Sequence, residues 1–183
     1  RCLIIDNSLI AFAPAGLTEY TIPDSVTSIG EYAFDDCSSL TSITIPENVT
    51  FIDLYAFKGC TNLTDFRVKI SNIGSWLSKN ISYSISMDHS YSLYLDGEIL
   101  TSVDIPSSVT SIGNYDFMGC SSLTSITLPE GLISIGDNAF SGCTDLTSIT
   151  LPESVTSIGE YAFQSCKQLK SITLPDGVTE VAN

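Results

Sequence analysis

The sequence is poor in basic residues, in histidine and tryptophan, and in long apolar runs. Its 183 residues include 7 Lys and Arg against 21 Asp and Glu, a net charge of -14, with one His and one Trp. A surface of this sign repels phosphates and anionic lipid headgroups, which argues against nucleic-acid and membrane-surface binding. No stretch approaches the roughly 20 apolar residues that span a bilayer, so we expect no direct membrane insertion. The N-terminus also lacks the residue order of a signal peptide.

The residues that are abundant recur with a fixed period. Ser and Thr number 28 and 18, about a quarter of the chain. Six of the seven prolines follow Ile or Leu, with gaps of 23, 60, 23, 23 and 23 residues, and 60 is two periods of 23 plus 14. The sequence is therefore a 23-residue array with one 14-residue insertion. These prolines are Pro23, Pro46, Pro106, Pro129, Pro152 and Pro175.

The cysteines and leucines follow the same period and define seven repeats. A fixed period of this length is typical of a solenoid, in which each repeat buries its apolar face against its neighbours. The five periodic cysteines are Cys37, Cys60, Cys120, Cys143 and Cys166. The seven repeats begin at Leu17, Leu40, Leu63, Leu100, Leu123, Leu146 and Leu169.

The repeat that begins at Leu123 predicts the local structure of all seven. Its Leu-x-x-Ile-x-Leu pattern predicts a short strand with apolar side chains inward, and Pro129 ends the pairing of that strand. A second short strand follows at 132–135, and Gly136 supplies a permissive backbone for a corner. We expect a helical or 3₁₀ turn at 138–140. The predicted fold class is a β-rich α/β solenoid, with two short strands and a short helical turn per repeat.

We expect one domain over residues 1–183, interrupted by two hairpins. The divisions are an N-terminal hairpin segment at 1–16, regular repeats at 17–68, an insertion and hairpin at 69–99, and regular repeats at 100–183. Asp-Gly at 96–97 and Asp-Asn at 6–7 favour hairpin turns, so the same module is predicted twice. The sequence begins abruptly at Arg1, so we expect the chain to belong to something longer. The last repeat is incomplete, and its uncapped end favours end-to-end self-association.

The repeats resemble the leucine-rich repeats of the BspA type over nearly the whole chain. The resemblance implies a right-handed, curved solenoid belonging to an extracellular or cell-surface protein, with adhesion to host matrix or to other cells as its role. A repeat fold alone does not fix a ligand. The residues that carry the resemblance are LTSITIPENVT from Leu40, SIGEYAF at Ser28 and Ser157, and the Phe-x-x-Cys that begins at Phe34, Phe57, Phe117, Phe140 and Phe163.

The outward positions of the first strands form the predicted concave face. Most of them are Thr or Ser, such as Thr44 and Thr127, which suit a pleated surface exposed to solvent. Such regular rows could also match a periodic glycan or an ice lattice. Between the first and last repeats, charge interrupts the rows only near the insertion, at Asp65, Arg67 and Asp104. We therefore predict that these five residues contribute to a binding face for a protein or glycan partner.

The insertion brings together residue types that are rare elsewhere in the chain. Tyr83, His89 and Tyr91 are candidate binding residues, because aromatic side chains on an irregular segment offer contact area at low entropic cost. The spacing of apolar residues over 70–77 predicts a short amphipathic helix that buries Trp76.

Asp116 is the least expected residue of the regular repeats, because its column otherwise contains alanine. A carboxylate in a packed interior is costly unless it is bonded. It either bonds nearby backbone N–H groups, finds a partner in the insertion, or turns toward water. Asp53 replaces a corner glycine, and Asp tolerates a left-handed backbone better than most residues do.

The cysteine column predicts buried, unpaired thiols and no cofactor. Cysteines 23 residues apart do not have zinc-ligand spacing, and parallel side chains in a column have poor disulfide geometry. A catalytic triad around the single histidine is a remote hydrolase alternative. We expect a non-catalytic binding module, and the resemblance to BspA-type repeats implies a cell-surface or secreted protein with host extracellular matrix or another cell surface as its partner. The alternative is a structural spacer that presents another domain.

Overall fold

The chain forms a β-solenoid of short strands. The computed structural model describes residues 2–53, 55–69, 73, 77 and 91–181. Its strands in these residues are β1 (Cys2–Ile5), β2 (Ser8–Phe12), β3 (Glu19–Thr21), β4 (Ser28–Ile29), β5 (Ser42–Ile45), β6 (Phe51–Ile52), β7 (Asp65–Val68), β8 (Ser92–Leu95), β9 (Glu98–Ile99), β10 (Ser102–Asp104), β11 (Ser111–Ile112), β12 (Ser125–Thr127), β13 (Ser134–Ile135), β14 (Ser148–Ile149), β15 (Ser157–Ile158) and β16 (Glu180–Val181).

Five repeats each contribute one strand to each of two stripes, as the sequence predicts, and they begin at Leu17, Leu40, Leu100, Leu123 and Leu146. The first stripe contains the sheets β3-β5-β7-β8-β9 and β10-β12-β14, and the second contains β1-β2-β4-β6 and β11-β13-β15-β16. Neighbouring repeats pair in parallel with a shift of one period, so that Ile126 lies beside Ile149 and Ile135 beside Ile158. The solenoid has about six turns, fewer than the seven repeats of the sequence. The first segment of the seventh repeat, at 169–175, is not in a strand.

The core runs along the inside of the two stripes. Inward residues such as Ile43, Leu123 and Leu146 are fully buried, because each is covered by its equivalents in the adjacent repeats. The phenylalanines stack from repeat to repeat, with ring centroids of Phe117 and Phe140 5.4 Å apart and their planes within 3°. This packing makes each repeat depend on its neighbours for burial.

The helical turn predicted for each repeat is not present in the described residues. The segments that precede the phenylalanines are turns, and helical geometry occurs only at Ile73 and Leu77, in the insertion. The reason is a residue with positive φ in each turn, for example 57° at Tyr32 and 55° at Asn138. A right-handed helix cannot continue through a left-handed residue.

The two hairpins form as predicted, but they occupy different stripes. Strand β1 pairs antiparallel with β2 and β8 with β9, and both turns use positive φ angles, 48° and 63° in the first and 50° and 89° in the second. Strand β2 then lies beside β4 of the second stripe, whereas β8 lies beside β7 of the first. Residues 13–18 separate β2 from β3, but only residues 100–101 separate β9 from β10. The different linkers explain why the predicted module is not repeated as a unit.

At the corners of Gly136 and Gly159, glycine is required for space and not for a left-handed backbone. Neither Gly136 nor Gly159 has a positive φ, and Asp53 at the same position does not have one either. A β-carbon on Gly136 would lie 2.7 Å from the carbonyl carbon of Gly113 in the preceding repeat. At the looser corner of Gly30 the nearest atom would be 3.4 Å away. The expectation based on backbone permissiveness at Gly136 and Asp53 was therefore wrong.

Candidate functional site

Arg67 is held in the middle of one face of the solenoid, here called the first-strand face. This face is formed by the outward side chains of β3, β5, β7, β8, β10, β12 and β14. It lies on β7, and its in-register neighbours are Thr44 on β5 and Tyr94 on β8. The Arg67 Nε donates to Ser42 Oγ at 3.0 Å, and Nη2 donates to Asp65 Oδ2 at 3.3 Å. The side chains of Arg67 and Asp65 are 42% and 27% exposed. The guanidinium is therefore fixed in orientation but open to a partner.

The ring of Tyr94 completes this arrangement from the hairpin. The guanidinium carbon of Arg67 lies 4.9 Å from the ring centroid, a cation–π distance. Across the hairpin Tyr94 pairs with Ile99, whose side chain is 42% exposed. The sequence-based site did not include Tyr94 or Ile99. The insertion breaks the period, so the register that sets Tyr94 beside Arg67 could not be read from the repeats.

The other surface residues predicted for the site lie apart from Arg67. Asp104 and Thr127 are exposed on β10 and β12, which belong to the second sheet of the first stripe. Thr44 is half-buried beside Arg67. The structure thus groups Thr44, Asp65 and Arg67, and it leaves Asp104 and Thr127 on a different sheet.

Tyr91 is a core residue, which corrects its prediction as a binding residue. Its side chain is 1% exposed, and its ring packs edge-on against Phe66 with centroids 5.2 Å apart. The Cys120 thiol donates to its hydroxyl at 3.4 Å, and residues 91 and 120 form a parallel bridge. Burial raises the pKa of the Tyr91 phenol well above its ordinary value. Tyr83, His89 and Trp76 lie outside the described residues.

Many outward hydroxyl groups bond the backbone of the preceding repeat. The carbonyl groups of Thr18, Thr101 and Thr124 also accept a backbone N–H from the next repeat, so these threonine hydroxyls are additional donors that reinforce the contact between repeats. Part of the Ser and Thr surplus is therefore structural. The bonds on the first stripe and its approach run from Thr41 to Thr18, Thr124 to Thr101, Thr147 to Thr124, Ser39 to Leu17 and Ser122 to Leu100, over 2.7–3.2 Å.

The five periodic cysteines lie in one buried column as free thiols. Each is at most 9% exposed. The thiols of Cys60, Cys143 and Cys166 donate to the carbonyl group of the phenylalanine one repeat earlier, at 3.0–3.1 Å. Burial raises the pKa of Cys60 and Cys120 to about 12 and that of Cys166 to about 11. A thiol with so high a pKa is a poor nucleophile at neutral pH.

Asp116 bonds a backbone N–H group, the first of the three arrangements open to it from the sequence. It is 2% exposed, and its Oδ2 accepts from the Gly113 N–H at 2.7 Å. In the next repeats the corner N–H instead donates to the preceding second-stripe strand, as Gly136 does to Ile112 at 2.9 Å. Among the described residues, β11 is the first strand of its sheet, so no described strand supplies this acceptor to Gly113. The Asp116 carboxylate accepts here where the later repeats use a backbone carbonyl group.

The sequence profile of the BspA type leucine rich repeat region matches residues 8–95 and 89–183, with six copies. The chain belongs to this family. No protein with a curated description matches the sequence. The residues that the family profile matches are the repeats whose strands form the two parallel stripes.

Several solved leucine-rich repeat structures are similar to this BspA-type chain. A leucine-rich repeat protein from Bacteroides ovatus is 27% identical with a TM-score of 0.57, over 97% of this chain and 50% of that protein. A leucine rich cell surface protein from Faecalibacterium prausnitzii is 29% identical with a TM-score of 0.54, over 94% and 52%. The pneumococcal vaccine antigen PcpA is 24% identical with a TM-score of 0.61, over 91% and 47%. The chain spans about half the length of these proteins.

Two features are absent from the described part of this BspA-type domain, a metal-binding cluster and a membrane-spanning helix. It has no cluster of three or more His, Cys, Asp or Glu side chains arranged around a possible metal position. Among the same residues, no helix has the length and apolarity needed to cross a membrane. Membership of the leucine-rich repeat family is consistent with a repeat module that has a binding or a structural role.

Proposed function

We propose that the chain is a non-catalytic binding module of a cell-surface or secreted protein, and that it recognises a protein partner through the first-strand face around Arg67. The observation that carries this proposal is the placement of the Arg67 guanidinium between Asp65, Ser42 and the Tyr94 ring. It stands out from rows of small hydroxyl residues on both sides.

The chemistry of this cluster suits a protein interface. A guanidinium has five N–H groups, and Arg67 uses two of them on Ser42 and Asp65. The remaining donors are available to carboxylate, carbonyl or hydroxyl oxygens of a partner. Because the side chain is already held by two hydrogen bonds and a ring, binding orders it at little further entropic cost. Arginine and tyrosine are also the residue types enriched at the centres of interfaces.

The surface location is part of the proposal and rests on similarity. The Faecalibacterium prausnitzii relative is described as a cell surface protein and shares 29% identity with this chain. The charge of -14 is consistent with a soluble, exposed domain that does not bind lipid or nucleic acid. Host extracellular matrix or another cell surface remains the partner class suggested by the sequence, and adhesion is the corresponding role.

The test measures binding to a panel of extracellular-matrix proteins and to a glycan array. For any partner found, Arg67→Ala should weaken binding at least ten-fold, as expected of an interface centre. Lys170→Ala is the matched control, because it removes one exposed positive charge from the last repeat. Equal effects of Arg67→Ala and Lys170→Ala would show that only net charge matters and would overturn the site.

A structural spacer is the second candidate, and the hydroxyl bonds favour it. Side chains such as Thr124 and Thr147 are engaged with backbone carbonyls, so much of the first-strand face is used for stability. A spacer predicts that this chain binds nothing in either panel while a longer protein that contains it does. A hydrolase centred on His89 stays a remote alternative, and mutation of His89 in any observed activity would test it.

A further inference from the structure

Four tyrosines and one asparagine form a column at one corner of the solenoid. Each of them lies in the turn that follows the second strand of its repeat. Each member precedes the buried small-residue column and has a left-handed backbone. The members with their φ angles are Tyr32 at 57°, Tyr55 at 60°, Tyr115 at 66°, Asn138 at 55° and Tyr161 at 57°.

Tyrosine is a costly residue for this backbone, so its presence needs another reason. A side chain with a β-carbon is disfavoured at positive φ, and Asn tolerates it better than Tyr does. Asn138 shows that Asn fits the same position. The rings do not fill the core, since Tyr32 is 41% and Tyr161 is 51% exposed. The aromatic rings therefore serve the surface.

The two tyrosines of the column that precede the insertion, Tyr32 and Tyr55, already contact a cation. The rings of Tyr32 and Tyr55 stack with centroids 5.6 Å apart and planes within 10°. The ammonium nitrogen of Lys58 lies 5.4 Å from the Tyr32 centroid and 6.0 Å from that of Tyr55. This is an internal example of what the corner binds, a primary ammonium group against tyrosine rings.

The repeats after the insertion also contain an exposed tyrosine of this column, Tyr161, but they have no lysine at the position of Lys58. The repeat position of Lys58 is Gln164 in the repeat that contains Tyr161, and the column position before Tyr161 is Asn138. Glu160 is exposed and adjacent in sequence to Tyr161. Its backbone N–H donates to Asp137 Oδ1 at 2.9 Å, so a second carboxylate is fixed nearby. An exposed ring beside two carboxylates is complementary to a cationic side chain.

We propose that the corner formed by Tyr161, Glu160 and Asp137 is a second interaction surface, which takes a lysine or arginine side chain of a basic protein segment. The ammonium or guanidinium group lies over the Tyr161 ring, as Lys58 lies over Tyr32, and the carboxylates neutralise its charge. The net charge of -14 attracts such a segment at long range. The surface is independent of the Arg67 cluster, and it can bind whether or not the first-strand face does.

The test titrates the chain at low ionic strength with acetyl-tetralysine-amide, and with acetyl-tetraglutamine-amide as the uncharged control peptide. Backbone NMR shifts should move at 159–165 with tetralysine only. Tyr161→Asn should weaken tetralysine binding about two- to five-fold, the range expected for one exposed cation–π contact. This variant keeps every charge and is compatible with the left-handed backbone, as Asn138 shows. Tyr161→Phe keeps the ring and should bind like the wild type.

Each other outcome overturns the proposal. Equal affinity of Tyr161→Asn and wild type would mean that tetralysine responds only to general negative charge. Shifts spread over the acidic surface without a maximum at 159–165 would mean the same. No detectable binding of tetralysine to the wild type would show that the corner does not take a cation. The spectrum of each free variant reports separately whether it is folded.

Discussion

Gly136 stacks so closely on the corner of the preceding repeat that a β-carbon at position 136 would lie 2.6 Å from the backbone nitrogen of Asn114. The nearest atoms belong to the backbone and to a held side chain, so they cannot move aside cheaply. Gly136→Ala should therefore destabilise the domain by about 2 kcal/mol, in the range for overpacking. Chemical denaturation of the variant and the wild type measures this difference.

Gly131→Ala is the matched control for this substitution. Gly131 lies in the same repeat, is exposed, lacks a positive φ, and would have nothing within 4 Å of an added β-carbon. It should change stability by less than about 0.5 kcal/mol. A comparable loss in the two variants would show that the stacking distance at Gly136 is not the cause of its destabilisation.

The strand pairing follows from the period alone. The prolines fix where each first strand ends, and the 23-residue spacing puts equivalent residues side by side, as Ser125 beside Ser148. Alternation within a repeat then decides which side chains are inward. The paired strands and the buried cysteine column are direct consequences of this repetition.

The candidate site was less predictable, because it depends on where the period fails. Tyr91 falls in the insertion, and only the bridge to Cys120 shows that it lies beneath the cysteine column. Tyr94 likewise meets Arg67 through a register that no repeat supplies. The left-handed tyrosines could not be anticipated, because tyrosine has no intrinsic preference for positive φ.

The hydroxyl groups of Thr124 and Thr147 on the first-strand face are predicted to stabilise the fold. The hydroxyls of Thr124 and Thr147 donate to carbonyl groups one repeat earlier, at 2.7 and 3.1 Å. Replacing both by Val should cost about 1 kcal/mol, because each exposed hydrogen bond contributes about 0.5 kcal/mol. Thermal unfolding measures the change.

Thr127→Val with Thr150→Val is the matched pair on the same sheet side. Both residues are exposed on neighbouring repeats. Their replacement should leave the unfolding temperature nearly unchanged, since valine also suits a strand. Equal destabilisation by the two pairs would contradict a specific role for the hydroxyl bonds.

The buried thiols make the domain less stable at alkaline pH. Burial raises the pKa of Cys120 from 9.0 to about 12. Its folded-state pKa is above the unfolded value, so the unfolded chain loses the proton first, and stability falls as the pH rises from about 9 to 12. The loss is about 1.4 kcal/mol per pH unit for one such thiol. Urea unfolding at pH 8 and pH 10 measures it.

Cys120→Ala isolates the contribution of this thiol from the titration of tyrosines and of the other cysteines. The variant is expected to be somewhat less stable at pH 8, because the thiol also donates to Tyr91. Its loss between pH 8 and pH 10 should nevertheless be smaller than that of the wild type. An unchanged loss would show that Cys120 does not titrate differently in the two states.

Asp116→Ala introduces the residue that four other repeats have at this position. Alanine occupies the equivalent position at Ala33, Ala56, Ala139 and Ala162, so a consensus argument predicts a gain in stability. The structure predicts a loss of about 2 kcal/mol, because the Gly113 N–H would lose its acceptor in a part-buried corner. Denaturant unfolding decides the sign of the change.

Asp116→Asn separates the hydrogen bond from the charge at this position. The amide oxygen can still accept from the Gly113 N–H, so this variant should lose less than half as much stability as Asp116→Ala. If both variants lose equally, the negative charge itself is needed and the acceptor explanation is wrong. If Asp116→Ala is neutral or stabilising, the Gly113 N–H does not need the carboxylate as an acceptor, and the acceptor explanation is also wrong.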